Sequence, residues 1–152
     1  MSIVVRLEEL ELRPEDELAA LLADSSGDGA IVSFVGVARP SSKDGHDIGR
    51  LTLERHPTLT RQSLEEIAVA AGQRFDVSHV RIVHRFGDIA PGEPIVFAAA
   101  AAAHRRAAFE AADCLMDRLK TEAVFWKRET GEAGSEWIEP TDTDYADRDR
   151  WG

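Results

Sequence analysis

The segment DRLKTEAVFWKRET, residues 117–130, sets Lys120 and Lys127 seven residues apart around a Phe-Trp pair and adds Arg118 and Arg128. The chain as a whole carries 28 Asp and Glu against 18 Lys and Arg, a formal net charge of -10. So many cations in one short run of an acidic chain have two readings. In the first they form a solvated face, each paired with a carboxylate such as Glu122 or Glu129. In the second they line a pocket for an anion, because fixed cations in a partly dry site stabilise negative charge far better than exposed ones. A second cluster, His104, Arg105 and Arg106, opens the strongest helical pattern. Unpaired N–H groups and the helix dipole already favour an anion there, so cations at that end are unfavourable unless something negative sits beside them. Arg39 follows a strand and starts a loop, a position that often serves ligands.

The elements that must position these residues follow from periodicity. SIVVRL (2–7) reads as a strand and PEDELAALLA (14–23) as a helix with Pro14 in its first turn. DSSGDG (24–29) stops it, and AIVSFVGV (30–37) is β-branched and aromatic, as a core strand would be. RPSSKDGHDIG (39–49) has no apolar period and is expected to be an exposed, mobile loop. RLTLER (50–55) alternates as a strand, and 60–75 forms a helix capped by Thr58 or Thr60, with Leu64, Ile67, Ala68 and Ala71 buried. HVRIVHRFG (79–87) alternates, with Val80, Ile82 and His84 on one face; DIAPGE (88–93) is a turn, and PIVFAAAA continues as a strand. Residues 104–120 form a helix with Ala108, Ala112, Leu115 and Leu119 on one face. VFWKRET and SEWIEP then make a terminal hairpin, followed by a tail over 140–152. Neighbouring strands separated by single helices predict an α+β domain with mainly antiparallel pairing, and 152 residues fit one domain, 1–152.

The acidic balance argues against nucleic acid and anionic membranes, which need a broad positive field. No apolar run approaches a membrane span, and the opening MSIVVRLEEL has no secretory pattern, so a cytoplasmic protein is expected. The single cysteine, Cys114, lies beside Leu115 and Met116 and reads as buried and inert; no Cys/His spacing suggests a metal, and no cofactor motif is present. His84, alternating with Val80 and Ile82, reads as a satisfied core or semi-buried histidine. No Ser-His-Asp order, P-loop or GxGxxG occurs. Lys120 alone suits the C-terminal end of its helix, and it lies roughly 24 Å from His104 along the axis. One small molecule cannot easily be gripped by both ends. Lys127 and Glu129 share a strand face with Phe125, while Trp126 and Arg128 take the other. On these motifs alone the enzyme class stays open.

Taken together, GAIVSFVGVAR (29–39), LTLERHP (51–57), VRIVHRFGDIAPGEPIVF (80–97), AHRRAAFEA (103–111) and MDRLKTEAVFWKRE (116–129), with a tryptophan at 137, resemble the large, catalytic subunit of molybdopterin synthase, the MoaE family. The resemblance implies an α/β hammerhead-type fold and a homodimer that binds two small ubiquitin-like subunits. It implies a sulfurtransferase in which the small subunit's C-terminal glycine thiocarboxylate enters a pocket and its sulfur converts cyclic pyranopterin monophosphate into the dithiolene of molybdopterin. Carried over by position, that pocket comprises Val37, Ala38, Arg39, His104, Arg105, Lys120, Lys127, Arg128 and Glu129, with His104, Arg105 and Arg39 holding phosphate and Lys120 and Lys127 doing the chemistry. The chain departs from the family at Val37 and Ala38, where Lys-Val is common, at Arg55 and His56, and at Val124, where proline is usual. Two other classes remain as alternatives: another small enzyme acting on a phosphorylated metabolite, and a non-catalytic acidic interaction module.

Overall fold

The computed structural model describes residues 1–132 and 134–152. Its chain order is β1 (Ser2–Glu8), α1 (Pro14–Asp24), β2 (Ala30–Val37), β3 (Ile48–Arg55), α2 (Leu59–Arg74), β4 (His79–Arg85), β5 (Gly87–Ile89), β6 (Pro94–Ala102), α3 (Arg105–Glu122), β7 (Phe125–Gly131), β8 (Gly134–Ile138) and α4 (Asp142–Asp149). The strands form two four-stranded sheets, ordered β1-β4-β6-β2 and β5-β3-β7-β8. Among the described strands only β1 and β4 pair in parallel; the rest are antiparallel, as expected for this α+β, hammerhead-type fold.

Helices α2 and α3 cover one face of the first sheet and α1 the other. The central strand β4 is therefore buried on both faces, although its alternation suggested one polar face. Val80 and Ile82 join Leu64, Ala68 and Leu115 in the larger core, while Val83 packs with Leu21 and Phe97 under α1. The charge on that second face is met inside: Glu17 of α1 accepts from Arg6 at 2.9 and 2.7 Å and from Arg81 Nε at 2.9 Å. The alanines of β6 let both layers approach closely, and Ala98 to Ala101 have no exposed surface.

β2 is not a core strand but the edge of its sheet, with Phe34 42% and Val37 48% exposed. Its apolar sequence gave no sign of which side would lack a neighbour. Within the expected turn 88–93, residues 88 and 89 belong to the short strand β5, paired with Leu51 to Leu53. The 39–49 segment is folded back by a Ser41–Asp47 bridge, and β3 already starts at Ile48. The 140–152 tail contains α4, begun by a capping box in which Thr141 and Asp144 exchange hydrogen bonds.

The junction between α3 and β7 is held from α2. Thr60, fully buried, accepts from the His56 N–H at 2.8 Å and donates to the Val124 carbonyl at 2.5 Å. The Val124 N–H donates to Ser63 Oγ at 3.0 Å. Thr60 is thus not a cap; the helix start is capped by His56, whose Nδ1 accepts from the N–H groups of Thr58 and Leu59. Valine at 124 supplies the N–H that donates to Ser63, which a proline there would lack.

Candidate active site

A cleft of about 510 Å³ opens where the second sheet meets the C-terminal end of α3. Its walls come from β2 and the residues after it (Phe34, Val37, Arg39), from α3 (Met116, Lys120), from β7 (Phe125, Lys127, Glu129) and from the C-terminal segment (Glu139, Thr141, Asp144, Tyr145). The short turn through Ala123 and Val124, closed by the Phe125 N–H donating to the Ala123 carbonyl and tethered to α2, leads from α3 into β7 with Lys120 and Lys127 in the same cleft. The alternation of β7 then puts Phe125, Lys127 and Glu129 on the cleft side.

The electrostatics of this pair are unusual for lysines. Burial, followed by the charge of Lys120 beside it, lowers the Lys127 ammonium from its ordinary 10.5 to about 8. Lys120 itself is exposed. The cations are not matched one to one: Glu129 Oε2 lies 3.6 Å from Arg39 Nη2, leaving Asp144 as the carboxylate that acts on Lys127 from the C-terminal segment. The result is a concave, half-dry surface on which Arg39, Lys120 and Lys127 converge against Glu129, Glu139 and Asp144, so that the two lysines, side by side and only partly countered, suit an anionic or oxyanion-forming reactant.

Of the nine residues assigned by position, the structure gathers Val37, Arg39, Lys120, Lys127 and Glu129 around this cleft. Ala38 is buried beneath it among Leu51, Leu53 and Ile89. Arg128 points to the opposite face of β7, its guanidinium 5.4 Å from the Trp137 ring centroid. His104 and Arg105 stand exposed at the other end of α3 and do not line the cleft. Arg118 makes an ordinary surface pair with Glu122 at 3.0 Å. Cys114 is buried, and burial pushes its thiol up, away from a nucleophile's range. Among the described residues no cluster of His, Cys, Asp and Glu is placed to hold a metal.

Sequence reasoning missed His84 and the C-terminal wall. His84 was read from its apolar neighbours, but it sits at the end of β4 where the core gives way to the cleft. The wall could have been found from Thr141 and Asp144, three residues apart in capping-box spacing.

The family model described as "MoaE protein" matches residues 7–122. The chain belongs to the MoaE family. It is 44% identical over 149 residues to the molybdopterin synthase catalytic subunit of Pseudomonas aeruginosa, covering 98% of this chain and 99% of that one. It is 46% identical over 149 residues to the protein of that name from Caulobacter vibrioides, covering 98% and 97%. Among solved structures, a MoaE protein from Burkholderia ambifaria superposes with a TM-score of 0.84 at 39% identity, over 100% of this chain and 99% of that one. A molybdopterin synthase structure from Staphylococcus aureus matches with a TM-score of 0.76 at 25% identity, over 90% and 95%. The MoaE fold therefore extends through the C-terminal wall, beyond the residues the family model covers.

Proposed function

We propose that this chain is the catalytic subunit of a molybdopterin synthase: a sulfurtransferase that takes sulfur from the C-terminal glycine thiocarboxylate of a small ubiquitin-like subunit and gives it to cyclic pyranopterin monophosphate. The reading is carried by the convergence of Lys120 and Lys127 in one cleft, with Lys127 held near 8. The nucleophile comes from the partner, consistent with a chain whose one thiol is buried. In each transfer the thiocarboxylate sulfur forms a C–S bond to a side-chain carbon of the pterin as that carbon's C–O bond breaks, the oxygen leaving as phosphate or, after taking up a proton, as water. A second water then cleaves the acyl–sulfur bond, releasing the tail as a carboxylate and leaving the sulfur on the substrate as a thiolate. Lys120 and Lys127 attract the anionic tail and stabilise the oxyanion formed when water adds to the acyl carbon. The amine fraction of Lys127, roughly a tenth at neutral pH for a group titrating about one unit higher, can accept a proton from that water.

Arg39 holds the substrate phosphate at the rim, with Glu129 keeping its guanidinium oriented. His104 and Arg105 serve the same phosphate only from a second copy of the chain, because the helix length separates them from their own lysines. A homodimer is thus part of the proposal, with one small subunit per cleft and all of it working in the cytoplasm. Ala38 and Arg128 act through packing rather than contact.

Reconstitution tests this. The parent protein is mixed with cyclic pyranopterin monophosphate and the small subunit in either carboxylate or thiocarboxylate form, and dithiolene product is followed. Product only with the thiocarboxylate form is expected, and Lys120→Ala and Lys127→Ala should each lose most of it while keeping their circular dichroism. Parental rates in either variant overturn the role of that lysine. Turnover of a phosphorylated compound without any protein partner, or binding of the small subunit with no product, overturns the whole reading.

A further inference from the structure

One buried group in the cleft is left unused by this mechanism. His84 is 7% exposed, and its imidazole stacks on Phe125 with centroids 4.3 Å apart and planes 27° apart. Its Nδ1 lies 2.8 Å from the Arg85 carbonyl oxygen, which can only accept, so Nδ1 carries the proton and donates. Nε2 is then a bare lone pair. Among the described residues Nε2 has no hydrogen-bond partner, yet it is not among the fully enclosed unpaired atoms, and His84 forms part of the cleft lining. Its acceptor therefore opens onto the space where a reactant binds.

We propose that His84 is a specificity-determining residue, whose Nε2 accepts an N–H or O–H from the heterocycle bound in the cleft. This rests on the pterin reading of the site. Around it Arg39, Lys120 and Lys127 hold the anionic parts of the reactants, and a cation-lined cleft alone would take any anion of suitable size. A fixed neutral acceptor between the lysines and the core adds a demand that only a donor at the right place meets. Unpaired donors and acceptors buried together are what allow a site to reject near-isosteres.

The surroundings keep this acceptor available. Burial, and then the charges of Lys127 and Lys120, hold His84 down to about 4, while its backbone bond acts the other way. The carboxylates nearby do not favour an imidazolium: Glu129 faces Arg39, Asp144 caps α4, Glu93 pairs with Arg85 at 3.5 Å, and Glu139, exposed on the cleft wall, is not among the groups acting on the ring. The ring is therefore neutral across the working pH range and is no proton shuttle.

Two measurements test this. In the parent protein labelled with nitrogen-15 in histidine, the His84 resonances, assigned by their loss in His84→Phe, should report a proton on Nδ1 and none on Nε2 between about pH 6 and pH 9. Adding cyclic pyranopterin monophosphate should shift Nε2 in the direction of an accepted hydrogen bond. In binding and turnover, His84→Phe keeps the stack on Phe125 but removes the acceptor, and should weaken binding of the compound by about tenfold or more. His84→Gln, which can place an amide oxygen near the same point, should recover most of that loss, with binding of the small subunit unchanged in both. A proton on Nε2, parental binding by His84→Phe, or equal impairment of the Phe and Gln variants overturns the inference alone. A parent that neither binds the compound nor makes product overturns the pterin reading and the inference with it.

Discussion

Lys120 stands in the last turn of α3 and Lys127 on β7, and across the Ala123–Val124 turn the Lys120 ammonium acts on that of Lys127 and makes its charge costlier. Because the Lys127 group titrates lower in the folded protein, at about 8, than its ordinary 10.5, the unfolded chain binds more protons between those values. Its charge therefore destabilises the fold at neutral pH, and this penalty fades as pH rises from about 8 towards 10.5. Lys127→Met should abolish sulfur transfer while raising stability at neutral pH by about 1 kcal/mol. The gain should shrink in denaturant titrations at higher pH. Lys120→Ala should move the Lys127 midpoint, read by pH-dependent amine labelling, upward but not to 10.5, since burial is the larger cause.

Thr60 sets the spacing of that pair from a distance. Its hydroxyl accepts from His56 and donates to Val124, and it has no exposed surface. Thr60→Val keeps the shape and strands both backbone groups, at a cost of about 2 kcal/mol. Thermal melts should show the loss. Turnover should fall further than the folded fraction accounts for, because the α3–β7 turn carries both lysines. Thr60→Ser retains the hydroxyl and should restore much of both; a Val variant as active and stable as the parent would remove the tether from the account.

What could be seen in advance followed from local chemistry. Amphipathic period gave α1, α2 and α3 nearly to their ends, and the alternation of 125–129 placed Phe125, Lys127 and Glu129 on one face. The same alternation puts Arg128 on the opposite face, where its guanidinium meets Trp137. The exposure of β2 could not be read from AIVSFVGV, since an edge strand and a central strand differ only in what lies beside them. His84 has the sequence context of a core residue and the location of a cleft residue; only the packing of β4 against the second sheet separates the two. α4 was hidden by its polarity: it buries no side chain and depends on its caps and on the residues after it.

Those residues make the C-terminal wall dependent on Trp151. The Trp151 ring meets Phe75 edge-on at 5.6 Å, and its Nε1 donates to Asp117 Oδ2 at 2.7 Å. Arg150 reaches the same Asp117 oxygen at 2.7 Å. Trp151→Ala should cost about 1–2 kcal/mol and free the segment that carries Asp144 and Tyr145 into the cleft. Limited proteolysis should then cut first between residues 139 and 150. Arg150→Ala, whose pairs are exposed, should change cleavage little. Equal resistance of the Trp151 variant and the parent would mean that α4 holds itself in place.

Glu17 offers a pH signature separate from the cleft. Burial alone would push its carboxyl up, but hydrogen bonds from Arg6 and Arg81 outweigh this and hold it below the ordinary 4.5. A carboxyl depressed in the folded state stabilises the fold above its unfolded value, and that contribution is lost as pH falls through the folded one. Glu17→Gln leaves Arg81, 8% exposed, without its counter-charge and Arg6 with Glu8 alone, and should cost about 3 kcal/mol at neutral pH. The difference between parent and variant should narrow steadily below pH 4.5 as the parent's carboxylate takes up its proton. Denaturant midpoints of the two proteins across the acid range measure this directly. A gap that stays constant down to the acid limit would place the cost of the substitution in packing rather than in charge.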